Sequence, residues 1–90
     1  MRIAMQMSYA GGFDEAIDDV VALEAVGLDR VWVAEAYGFD AVSFMGYLAA
    51  KTERVEIASG ILPIYTRTPT LLAMTAAGID ALSGGRAILG

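Results

Sequence analysis

The chain alternates between short β-type runs and longer helical stretches, and that alternation limits its possible folds more than any other feature. Ile3 to Met7 reads as a strand, closed by Ser8-Tyr9-Ala10-Gly11-Gly12. Asp14 to Val26 follows as a helix, with Ile17, Val20, Val21 and Leu28 along one face and Gly27 as its stop. Arg30 to Glu35 is a second strand built around Val31-Trp32-Val33. Asp40 supplies a cap for a second helix, whose Ala41, Phe44, Met45, Leu48 and Ala49 recur at i, i+3, i+4, i+7 and i+8. Val55 to Ile61 is the third strand, rich in β-branched residues and bounded by Pro63. Thr68-Pro69 opens a third helix, with a capping hydroxyl followed by proline at the first helical position. That helix runs to Leu82 and stops at Ser83-Gly84-Gly85, after which Arg86 to Leu89 begins a fourth strand.

The strand starts, near residues 2, 30, 55 and 86, lie 25–31 residues apart. Alternation of this kind predicts parallel strands joined by right-handed crossovers. Eight such units would come to about 230–250 residues, the size of a (β/α)8 barrel. The expected fold class is therefore α/β, of the (β/α)8 TIM-barrel type, with only the first four strands and three helices present. Residues 1–90 are expected to form the N-terminal part of a single barrel domain.

Apolar residues make up 57% of the 90 and charged ones 19%. A chain this short buries only roughly 60–65% of its unfolded surface. The apolar excess thus predicts either a homo-oligomer or a piece of something larger. A net charge of −5 argues against nucleic acid as a partner, because phosphates call for a basic footprint. There is no cysteine and no histidine, which removes disulfides, the usual zinc ligand sets and any Ser-His or Cys-His pair within the chain. No metal site is expected. Met1 to Met7 has one positive charge and lacks the apolar core of a signal peptide, and no apolar run approaches about 18 residues. A cytoplasmic location without membrane contact is the expectation.

Ligands of parallel α/β folds sit beyond the carboxyl ends of the strands. Those positions are residues 8–13, 35–40, 60–68 and 90. Five of the eight aromatic residues fall there: Tyr9, Phe13, Tyr37, Phe39 and Tyr65. Of the six basic residues only Arg67 does. An aromatic, weakly basic mouth suits a planar ring better than a bare polyphosphate, although the same aromatics could simply fill gaps between loops. Ser8, Tyr37, Tyr65 and Arg67 are the candidates on the substrate side. Glu35 ends the second strand on the face of Val31 and Val33 and is expected to point inward at the active end. It is either a ring or substrate contact, or half of an ion pair with Arg67 that ties down the loop. Ser59-Gly60-Ile61 closes the third strand with small residues, which permits either close backbone approach to a ligand or a tight corner. No Walker lysine motif and no glycine triplet after the first strand are present.

Two stretches carry a family resemblance: Ala49-Ala50-Lys51-Thr52-Glu53-Arg54-Val55, and Ile79-Asp80-Ala81-Leu82-Ser83-Gly84-Gly85-Arg86 ahead of Leu89-Gly90. With Ala34-Glu35 and Ser59-Gly60-Ile61 in the same order, the sequence resembles the bacterial-luciferase-like monooxygenases. That family includes FMN-dependent monooxygenases and coenzyme F420-dependent oxidoreductases, and Tyr65-Thr66-Arg67-Thr68-Pro69 looks most like the F420-using branch related to methylenetetrahydromethanopterin reductase. The resemblance spans all ninety residues but only about the first quarter of a family enzyme. It implies ring contacts from Glu35, Ala36, Ser59, Gly60, Ile61 and Gly90, and a non-prolyl cis peptide at Gly60-Ile61, with Ser59-Gly60 as the other register. Many F420 enzymes carry an acid-histidine pair where this sequence has Glu35-Ala36, so a histidine-based role is lost and the catalytic proton donor is unassigned.

The function so implied is hydride transfer between the cofactor ring and a small organic substrate by the whole barrel, with this segment holding the part that faces the ring and expected to be inactive alone. FMN-dependent monooxygenation is the alternative within the family. A non-catalytic quarter-barrel module that self-assembles is the alternative outside it. A small flavodoxin-like receiver domain would need a cluster of acids after the first strand, which Met7-Ser8-Tyr9 does not supply.

Overall fold

In the computed structural model, which describes residues 2–7, 12–35 and 39–90, seven elements alternate along the chain. They are β1 (Ala4–Gln6), α1 (Phe13–Ala25), β2 (Arg30–Val33), α2 (Ala41–Lys51), β3 (Glu56–Ser59), α3 (Pro69–Ser83) and β4 (Ala87–Ile88). The four strands form one parallel sheet in the order β1-β2-β3-β4. Every element expected from the pattern is present, with strands shorter than the pattern suggested. β2 stops at Val33 and β3 at Ser59, because the segments beyond them leave the ladder to form the mouth.

Register separates two faces. Met5 pairs with Val31, Val31 with Ile57, and Ile57 with Ala87. Val31, Val33, Val55 and Ile57 on this face are fully buried in the core shared with α1 and α2. Ile17 and Val20 come from α1, and the whole predicted stripe of α2, from Ala41 to Ala49, is buried with them. Val21 does not join this face. It is 42% exposed, because α1 turns only a narrow stripe toward the sheet. The opposite face carries the row Gln6, Trp32, Ala58 and Ile88, and one layer nearer the strand starts, Ala4, Arg30 and Glu56. The face of Val31 and Val33 is therefore the helix-covered one, and the inward expectation for Glu35, drawn from that face, is corrected below.

Chemistry at the helix ends explains where the elements stop. Asp40 accepts the Ser43 N–H at 3.0 Å and caps α2, while Thr68 accepts the Leu71 N–H at 3.1 Å and caps α3 ahead of Pro69. The last turn of α3 ends on Gly84 in the left-handed region, φ 69°, with Gly85 donating back to the Asp80 carbonyl at 2.8 Å. Glu24 near the end of α1 accepts the N–H groups of Arg54 at 2.8 Å and Val55 at 2.7 Å, tying α1 to the turn before β3. No helix among the described residues is long and apolar enough to cross a membrane.

Candidate functional site at the strand carboxyl ends

Beyond Val33 and Ser59 two further main-chain bonds join the central chains, the second of them one residue out of the ladder's register. Gly60 donates to the Val33 carbonyl at 2.8 Å, and Glu35 donates to the Ile61 carbonyl at 3.3 Å. Between these bonds the Gly60–Ile61 peptide is cis, at the register that the resemblance implies. Ile61 points away from the core and is 64% exposed, whereas Leu62 folds back into it.

Trp32 is the residue that pattern reading missed. It lies on the inward row, half-buried, and packs against both candidate glycines. A Cβ on Gly60 would stand 3.2 Å from Trp32 Cε3, and one on Gly90 would stand 3.0 Å from Cζ3 while overlapping the Ser59 carbonyl oxygen. Both positions need glycine for close approach, not for an unusual φ. Ser59 is fully buried, and its Oγ accepts the Gly90 N–H at 3.0 Å. Ser59, Gly60, Ile61, Gly90 and Trp32 thus form one continuous wall. Strand alternation held the missing signal: residues of opposite parity to Val31 and Val33 face the barrel interior.

Glu35 stands at the rim of this wall and not within it. Its Oε1 accepts the Ala41 N–H at 2.8 Å and Arg67 Nη2 at 2.8 Å, and its Oε2 faces Arg67 Nε at 3.4 Å. The side chain lies over the start of α2 instead of aiming inward as expected, because the face of Val31 and Val33 is the helix-covered one and free helix N–H groups attract a carboxylate. The Arg67 guanidinium holds the Glu35 carboxyl below the usual carboxylate range, and the Ala41 N–H adds to this against the effect of burial and of nearby Asp40. Glu35 in turn raises Arg67. The two side chains are 12% and 14% exposed. Through its main chain Glu35 grips Ile61, and through its carboxylate it grips Arg67, so it clasps both ends of the loop between them.

That loop carries Ile64 and Tyr65 outward, the latter 96% exposed. Phe39 packs at a tilt 5.0 Å from Phe13, and Phe13 lies 5.3 Å from Phe44, so these two mouth aromatics are engaged with each other and with α2. Ser8, Ala36 and Tyr37, all expected at the site, lie outside the described residues, as does Tyr9. Among the described residues, Arg67 is the only cation at this end, and it is committed to Glu35. The remaining basic residues gather at the strand starts, where Glu56 pairs with both Arg2 and Arg30, and Arg30 lies 5.5 Å from the Trp32 ring centroid. The wall therefore suits a flat, uncharged ring system, and the cations needed for phosphate or carboxylate groups are absent from it. No group of three or more acidic side chains able to hold a metal ion occurs among the described residues.

The fold has counterparts among known proteins. The family model described as luciferase-like monooxygenase matches residues 1–90. A Mycobacterium tuberculosis protein named as a coenzyme F420-dependent oxidoreductase is 38% identical over all of this chain and 26% of its own length. The structure of coenzyme F420-dependent tetrahydromethanopterin reductase from Methanopyrus kandleri superposes with a TM-score of 0.90, at 24% identity, over 99% of this chain and 26% of that one. A type II Baeyer-Villiger monooxygenase of Pseudomonas putida, solved with FMN, superposes with a TM-score of 0.85 at 19% identity, over 100% of this chain and 29% of that one. These two structures show the shared fold, in which the present strands are part of a barrel. The chain spans about a quarter of the length of the relatives it matches.

Proposed function

The chain belongs to the luciferase-like monooxygenase family, and on that premise we propose that it is the N-terminal part of a coenzyme F420-dependent oxidoreductase, supplying the wall against which the deazaflavin ring lies. The observation that carries this reading is the bare surface made by Gly60, Ile61 and Gly90 against Trp32, at the strand ends where such folds bind ligands. Relatives that share most of this chain are named as F420-dependent, which favours the deazaflavin over FMN.

When bound, the deazaflavin would supply hydride transfer to or from a small organic substrate. This chain's own part is orientation and shielding. Ser59 fixes Gly90, Trp32 backs the ring-facing peptide, and Ile61 offers an apolar contact. Ala36 belongs with the ring contacts, and Ser8, Tyr37, Tyr65 and Arg67 with the substrate side of the mouth. Glu35 acts as the clasp of the Ile61–Arg67 loop, and its ionised carboxylate is a poor proton donor. With Arg67 engaged, the anionic parts of the cofactor need partners beyond these ninety residues.

The chain alone should therefore bind F420 more weakly than about 1 μM. Titrating it with F420 and separately with FMN, followed by quenching of its single tryptophan, tests this. Quenching at millimolar F420 with weaker response to FMN is expected. A preference for FMN would favour the monooxygenase reading, whose support is the fold shared with the FMN-bound monooxygenase. No quenching by either would reject the ring wall.

A non-catalytic, self-assembling module remains a second reading because one apolar surface is uncovered. Leu71, Met74 and Leu82 of α3 are exposed, and a groove of about 380 Å³ beside them is lined by Met45, Leu62, Ile79 and Leu89. Light scattering across a concentration series would reject it if the chain stayed monomeric.

A further inference from the structure

Only three polar residues among the described residues are buried: Thr52, Ser59 and Ser83. A buried hydroxyl needs partners, and the partners here define one seam between β3 and β4. Ser59 meets Gly90 at the site end. Thr52 and Ser83 meet Arg86 at the other end. The Arg86 guanidinium has five N–H donors and five acceptors in reach. Nε donates to the Ser83 carbonyl at 2.5 Å. Nη1 donates to Thr52 Oγ1 at 2.8 Å and to the Val55 carbonyl at 3.1 Å. Nη2 donates to the Ala49 carbonyl at 3.0 Å and the Thr52 carbonyl at 3.2 Å.

These contacts join the end of α2, the entry to β3 and the end of α3. No carboxylate is among them, so the fork geometry of the guanidinium matters, and its charge finds only carbonyl and hydroxyl dipoles. The Arg86 main chain continues the same connection: its N–H donates to Ser83 Oγ at 3.1 Å and its carbonyl accepts the Ile57 N–H at 2.8 Å. From there the β3–β4 ladder runs through Ala58 and Ile88 to Gly90 under Ser59 and Trp32.

We propose that Arg86 is a positioning residue: by saturating the α2, β3 and α3 ends it sets the register of β4, and so seats Gly90 against Ser59 and Trp32. The two sequence stretches that carry the family resemblance meet in this contact, Ala49, Thr52 and Val55 from one and Ser83 and Arg86 from the other. They are one structural device at the end of the sheet remote from the ring wall. Its bearing on catalysis rests on the ring-wall reading, but the contact itself does not, so the test uses no cofactor.

The experiment compares the full chain with Arg86→Lys and Thr52→Val by amide hydrogen exchange and by Trp32 emission under native conditions. Arg86→Lys keeps the charge and loses the fork. Exchange at Ile57 should quicken on the order of tenfold relative to Val20 in α1, with a red shift of Trp32 emission. Thr52→Val removes one of the five acceptors and should show the same regional pattern more weakly. If Arg86→Lys does not fold, Thr52→Val carries the comparison. Uniform quickening across the chain, or Arg86→Lys behaving as wild type, would overturn the proposal.

Discussion

Replacing Arg67 with methionine removes the cation from a bidentate pair and leaves the Glu35 carboxylate, 12% exposed, holding only the Ala41 N–H. Exposed pairs contribute roughly 0–1 kcal/mol. Breaking a fully buried pair by deleting one partner costs about 3–5 kcal/mol. With both side chains mostly but not wholly buried, Arg67→Met should destabilise by about 2 kcal/mol at neutral pH. Glu35→Gln keeps an acceptor for Ala41 and loses the charge, so the double variant should fall short of the sum of the singles. A coupling of about 1–2 kcal/mol is expected from urea unfolding of the four proteins. The sign with pH follows from the lowered carboxyl of Glu35. Its contribution is present above the unfolded pKa of about 4.3 and is lost as pH falls through the folded value. Repeating the cycle near pH 3 should shrink the coupling. Additive variants at pH 7, or a coupling that does not change on acidification, would refute the clasp.

Other substitutions test separate parts of the structure. Asp40→Ala removes the side-chain acceptor of Ser43 and should lower stability by about 1 kcal/mol in denaturant unfolding. Asp40 is itself held below its ordinary value by the Ser43 backbone and hydroxyl, so this loss should fade in acid. Glu24→Ala deprives the Glu53, Arg54 and Val55 N–H groups of their acceptor and should cost about 1–3 kcal/mol, read as a shift in the urea midpoint. Gly90→Ala places a Cβ on the Ser59 carbonyl and should expose Trp32 to acrylamide, whereas Gly84→Ala, strained by its positive φ and remote from Trp32, should lower stability without changing quenching.

The sequence made the βα framework readable because its signals are local. Asp40, the Thr68-Pro69 pair and Gly84 each act within one helical turn, and the α2 stripe needs only its own spacing. What lay hidden depends on distance along the chain. Glu35 and Arg67 are 32 positions apart, and the choice between ring contact and ion pair turned on a bond that no spacing encodes. Parity put Glu35 with Val31 and Val33, but that face is the helix-covered one and not the interior, so the start of α2 captures the carboxylate. Trp32 read as one apolar residue in a strand. Its importance follows from register, which sets it beside Ala58 and under Gly60 and Gly90. Arg86 was legible as part of a motif, while its five acceptors, drawn from three separate segments, were not.

The ring wall is tested most directly by a nitrogen-15 NMR titration of the chain with F420. Shifts should concentrate at the Trp32 indole N–H, Gly60, Ile61 and Gly90, with weak affinity, while Arg2, Arg54 and Arg86 at the opposite end of the sheet stay still. Shifts centred on that opposite end, or none at millimolar cofactor, would contradict the account.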